Sequence, residues 1–149
     1  MNNLFRIGDF TFEIDDVQSH VGFDHSGALA VTIVAKTQDL ERAVKAGLLD
    51  DYEPTGEVRI TFIALGVYQH NTLSGVLHFK EEKQEQPYLT FNRTGFPYSL
   101  QYSGEVVFKE GRVLLQGHLK QSWDGQPEFP VMIDKQIDTS HLHWEMYCF

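Results

Sequence analysis

The chain has 149 residues, 42% of them hydrophobic and 22% charged, enough for one domain, residues 1–149, with a core of its own. A formal charge of −9 and a pI of about 5.1 weigh against nonspecific nucleic-acid binding, which depends on Lys and Arg neutralising phosphates. The only cysteine, Cys148, leaves no intrachain disulfide to form, and the longest near-apolar run, residues 28–35, is far too short to span a bilayer.

Leu4 to Asp15 reads as a hairpin turning at Gly8-Asp9, with Ile7 opposite Phe10 and Phe5 opposite Phe12. Val17 to Asp24 reads as a further short strand, with Val17, Ser19, Val21 and Phe23 on one side, closed by the turn His25-Ser26-Gly27. Ala28 to Lys36 alternates Leu29, Val31, Ile33 and Ala35 with the small residues Ala30, Thr32 and Val34. Both of its faces suit cover, so a central strand is expected. Thr37 then reads as the N-cap of one amphipathic helix over about 38–48. Asp39 and Glu41 fall in its first turn, where the macrodipole favours acids, and Leu40, Val44 and Leu48 form its stripe beside Ala43.

An acidic loop over 50–56 leads to a strand from Glu57 to Leu65, in which Val58, Ile60, Phe62 and Ala64 share a face. Residues 66–71 read as a connection. Thr72 to Lys80 returns, with Leu73, Gly75, Leu77 and Phe79 on one side, and 81–86 is a charged loop. Pro87 to Arg93 and Glu128 to Ile133 each contain a proline, which cannot donate to a ladder, so both read as edge strands. His141 to Phe149 reads as the last strand.

The stretch from Pro97 to Lys120 carries the clearest register. A two-residue turn at Glu110-Gly111 sets Lys109 opposite Arg112. Phe108 then faces Val113, Val106 faces Leu115, Gly104 faces Gly117 and Tyr102 faces Leu119. All of these are apolar or glycine, while Glu105–Gln116, Ser103–His118 and Gln101–Lys120 fall on the other face with Val107–Leu114. A slip of one residue would scramble both faces. Glutamate is a costly first turn residue, because a type I′ turn needs positive φ at both central positions. The glycine pair leaves a gap on the apolar face, where a sheet can bend or a ligand or another backbone can come close. The elements add up to a mostly β chain: an antiparallel β-sandwich or barrel of about 8–10 strands with one helix.

No stretch names a chemistry. His141 and His143 lie at i and i+2 with Glu145 two further on, so one strand face could offer three metal ligands. A polar face turned to water accounts for the same residues, and no fourth ligand can be placed, so no metal and no cofactor is expected. Asp50, Asp51 and Glu53 lack the alternating oxygens and central glycine of a calcium loop. Cys148 alternates with Leu142, Trp144 and Met146, the pattern of a buried thiol. There is no nucleophile elbow, P-loop or dinucleotide fingerprint.

Phe12-Glu-Ile-Asp15 followed by Ser19-His-Val-Gly-Phe23 resembles the opening of the YceI-like isoprenoid-binding barrels. The likeness covers that stretch alone. Neither the family's charged midsection nor a periplasmic signal accompanies it, and we infer no membership.

The expectation is a cytoplasmic, non-enzymatic binding protein with a basic protein partner and no part in nucleic-acid or membrane binding. A small, acidic, cysteine-poor chain suits an inhibitor or immunity-type protein that masks a basic toxin or nuclease, since complementary charge speeds encounter. The contact residues expected are Asp50, Asp51 and Glu53 with Glu81, Glu82 and Glu85. One alternative is a β-barrel holding a small apolar ligand or lipid, suggested by 11 phenylalanines and the glycine gap. The other is a metal-dependent enzyme using His141, His143 and Glu145.

Overall fold

In the computed structural model, residues 3–23, 29–37, 40–46, 48, 56–64, 68–69, 72–79, 89–93, 101–120 and 128–137 are described. Their strands, in chain order, are β1 (Leu4–Ile7), β2 (Phe10–Ile14), β3 (His20–Phe23), β4 (Leu29–Thr37), β5 (Glu57–Ala64), β6 (Tyr68–Gln69), β7 (Thr72–Leu73), β8 (Gly75–Phe79), β9 (Leu89–Arg93), β10 (Gln101–Lys109), β11 (Arg112–Lys120) and β12 (Glu128–Gln136). A single helix, α1 (Leu40–Lys45), follows β4.

Ten of these strands form one antiparallel sheet in the order β8-β10-β11-β12-β1-β2-β4-β5-β9, with β3 also on β4. The sheet curls into a half-barrel, and β9 comes to lie near β10. β6 and β7 pair separately as a small hairpin, β6 within the expected connection 66–71 and β7 at the start of the expected strand from Thr72.

The β10–β11 hairpin has the register that its alternation demands, from Lys109↔Arg112 through Gly104↔Gly117 to Gln101↔Lys120. Its turn is of the I′ kind, with φ of 54° at Glu110 and 76° at Gly111. Glu110 is the only non-glycine among the described residues with positive φ. The turn is held from outside as well, because Ile137 N donates to Gly111 O at 2.8 Å. In the β1–β2 hairpin Ile7 pairs with Phe10, and the rings of Phe5 and Phe12 lie 5.4 Å apart. There Gly8 has φ 58° and Asp9 does not share it, as in a type II′ turn with glycine first.

The inward rows form one core. Phe5, Ile7, Val31, Ile33, Ile60, Phe62, Phe79, Val106, Phe108, Leu115 and Ile133 are all buried in it. Phe62 of β5 packs against Phe79 of β8 and Phe108 of β10, with centroids 6.3 and 6.2 Å away, so aromatic rings join opposite arms of the sheet. The glycine gap is closed by protein. A Cβ on Gly104 would come 2.6 Å from Gly117 Cα and 2.9 Å from the Tyr102 hydroxyl, and one on Gly117 would collide with Ser103 O. The two backbones therefore need glycine to pass so closely. The Tyr102 hydroxyl donates to Glu105 O at 2.6 Å, and the Gln116 main chain bonds the same hydroxyl. Burial raises its pKa well above the ordinary phenol value.

Four expectations change. Val17 is not in a strand: residues 16–18 are a turn, Val17 is 94% exposed, and β3 begins at His20. Thr37 belongs to a strand. It ends β4, buried, with its N–H donating to Gly56 O at 3.0 Å and its hydroxyl to Thr11 O at 3.3 Å. The helix starts three residues later and is shorter than the stripe suggested, although Ala43 and Leu48 are buried as expected. β12 runs on to Gln136 between β11 and β1, so Pro130 sits in an interior strand. Pro130 O accepts from Gly8 N at 2.7 Å, so its own ring nitrogen faces that same side. There β1 has already ended, and the missing donor breaks no ladder bond with β11. β9, by contrast, does lie at a sheet end.

We expect Phe108→Ala and Leu115→Ala each to cost about 2–5 kcal/mol in chemical denaturation, as large-to-small changes in a closed core do; losses under about 0.5 kcal/mol in both would mean the inward face is misassigned. Tyr102→Phe should cost about 1–3 kcal/mol, because it leaves Glu105 C=O and Gln116 N–H without the hydroxyl between the strands. Urea midpoints for the variant and the parent chain measure it, and an unchanged midpoint would show that the hydroxyl does not bridge them.

Candidate functional site

None of the expected contact residues lies among those described. Asp50, Asp51 and Glu53 fall between Leu48 and Gly56, Glu81, Glu82 and Glu85 between Phe79 and Leu89, and His141, His143 and Glu145 beyond Ile137. The strands fix the points from which these segments leave. Antiparallel ladders reverse direction at each step, so the ends of the half-barrel can be traced across the sheet. The Glu110-Gly111 turn, Gln136, Ala64 and Gly75 belong to one end. Thr37 with α1, the Gly8-Asp9 turn, Glu57, Phe79 and Lys120 belong to the other. Segment 49–55 joins the helix to β5 at this helix end, and segment 80–88 departs from it.

Among the described residues no group of three or more His, Cys, Asp or Glu is placed to hold a metal ion.

At the opposite end, the turn between β2 and β3 is built by Asp15. Its carboxylate accepts from Gln18 Nε2 at 2.8 Å and from the main-chain N–H groups of Val17 and Gln18 at 3.1 and 3.2 Å. Ser19 then repairs the ladder: its hydroxyl accepts from Val34 N at 2.9 Å, and Asp15 N donates to Val34 O at 2.8 Å. β2 and β3 thus pair with one edge of β4 on either side of this excursion. Beside it opens a groove of about 620 Å³, lined among others by Asn3, Asp16, Ser19, Val21, Ile33 and Lys135. Lys135 Nζ meets Asp16 Oδ1 across it at 3.2 Å and also donates to Gln136 O at 3.1 Å. Asn3 Oδ1 accepts from Gln136 N at 2.9 Å, and Arg112 Nε bonds Asp134 Oδ1 at 2.6 Å nearby.

Sequence reading missed this pair. The alternation Phe129, Val131, Ile133, Lys135, Ile137 was there to be followed, but the proline suggested a strand that stops at Ile133.

The Gln18 side-chain amide, with the N–H groups of Gln18 and Val17, holds the Asp15 carboxyl below its ordinary pKa. A folded-state pKa below the unfolded one stabilises the turn above the ordinary carboxylate range, and that contribution is lost as pH falls through the lowered folded value. The amide resonances of Val17 and Gln18 should therefore report an Asp15 titration below that of the other exposed acids. Asp15→Asn should remove that titration, and a midpoint at the ordinary value would refute the turn's role.

Comparison with known proteins finds no match to a family model, to a curated protein or to a solved structure.

Proposed function

We propose that the chain is a binding protein that masks a basic protein partner through the acidic segments at its helix end. The observation that supports this reading is the formal charge of −9 together with the clustering of acids in the sequence, Asp50, Asp51 and Glu53 in one stretch and Glu81, Glu82 and Glu85 in another. Charge spread evenly would serve solubility equally well. Acids clustered in short stretches instead concentrate the field that a basic partner meets. Asp50, Asp51 and Glu53 on one segment, with Glu81, Glu82 and Glu85 on another that leaves from the same end, give such a partner a shared field to approach. An inhibitor or immunity-type role for a basic toxin or nuclease fits that field, in a cytoplasmic setting and without chemistry by the chain itself.

Reversing Asp50, Asp51 and Glu53 to lysine should slow association with the captured partner and flatten its salt dependence, since exposed charges act over a Debye length of about 8 Å at physiological ionic strength. Stability should hardly change. Capture from the native lysate followed by stopped-flow mixing over a salt series measures this. An acidic partner, or a rate indifferent to both salt and charge reversal, would overturn the reading.

A further inference from the structure

The inward rows of the sheet are apolar almost throughout. On β12 the row runs Phe129, Val131, Ile133, Lys135, Ile137, and Lys135 pairs with the core residue Val113. A charged residue is unusual in such a row. The Lys135 side chain is only 12% exposed, although β12 is an interior strand with no edge for a lysine to protect. The aliphatic stem lies along the mouth of the core, and the ammonium comes out at the groove beside Val21, Val31, Ile33 and Ile137. Its acidic partner is quite different in setting: the Asp16 side chain is 72% exposed, on the turn that Asp15 builds. Asp16 therefore loses little hydration by holding Lys135 and would lose little by letting go.

We propose that this groove binds a small amphipathic carboxylate, with Lys135 as its counter-ion and Asp16 as the group it displaces. A volume of about 620 Å³ lies in the usual range for a small-molecule site. Its lining offers what such a ligand needs: the apolar side chains of Val21, Val31, Ile33 and Ile137 for the tail and Lys135 for the head, with polar groups of Asn3, Ser19, His20, Thr32 and Gln136. The exchange swaps one carboxylate for another at the same ammonium, so Lys135 stays paired while Asp16, on its exposed turn, returns to water. The groove lies at the end opposite to the helix and stands or falls separately from the protein-interface reading.

Calorimetric titration of the full chain with decanoate and with decanol tests it. Decanoate should bind saturably and at least tenfold more tightly than decanol. Lys135→Met should erase that preference while the chain stays folded by circular dichroism, and Asp16→Asn, which removes the competitor, should tighten decanoate binding several-fold. No saturation at millimolar decanoate would overturn the proposal, and so would equal affinity for acid and alcohol. Should Lys135→Met fail to fold, Asp16→Asn decides alone: unchanged decanoate affinity there would make the pair a structural clamp and refute the site.

Discussion

The half-barrel depends on a stagger in one strand. β2 pairs with β1 through Phe10 and Thr11, and with β4 through Phe12 to Ile14. Because the two ladders do not overlap along the strand, no residue of β2 is held flat between two neighbours, and the sheet can fold there. Corners of this kind let one sheet supply both layers of a core. Phe5, Ile7, Phe10 and Phe12 fill the inside of the fold, and Arg42 of the helix lies over the Phe10 ring at 5.4 Å. Everything on the β1–β12–β11–β10–β8 arm meets the β4–β5–β9 arm through that corner and through the ring contacts of Phe62.

Legibility in the sequence followed how local the cause was. The β10–β11 register could be read because period-two alternation and a two-residue turn are both short-range, and every pair is displaced together if one is wrong. The inward faces of β4, β5 and β8 were legible for the same reason. The Thr37 error shows where local signals fail. A threonine before a periodic stripe is a good cap, but nothing local shows that it ends a strand, where its N–H donates to Gly56 O and its hydroxyl to Thr11 O, both brought by the fold. Pro130 was misread in the same way. Proline in a strand argues for an edge, and only the early end of β1 shows why an interior position tolerates it. Val17 looked like a strand residue because Ser19, Val21 and Phe23 continue its alternation, yet Asp15 collects three donors and turns the chain.

The functional residues were legible only as composition. Acid clusters can be counted, but their relation to one another depends on which end of each strand they leave from, and this follows from the order of the sheet. Lys135 needed even more. Its place in an inward row was visible, but what it meets depends on a turn more than a hundred residues earlier in the chain. Long-range pairing of this kind leaves no spacing to recognise.

An inward lysine also has to be accounted for energetically. Burying an ion pair seldom stabilises a fold more than apolar residues of the same volume would, because desolvation cancels much of the Coulomb gain. A methionine at position 135 would continue the row without that cost, so stability alone gives little reason for the lysine. Ligand exchange supplies one. When an incoming carboxylate replaces Asp16, the electrostatic terms before and after are similar, and the free energy left to drive binding comes from the tail. At about 0.8 kcal/mol for each buried methylene, a chain of several carbons offsets the lost translational freedom that any association must overcome. A neutral head group meets the Lys135–Asp16 pair still closed across its place in the groove and cannot displace it. In such a site the tail supplies the burial and the lysine the choice of head group.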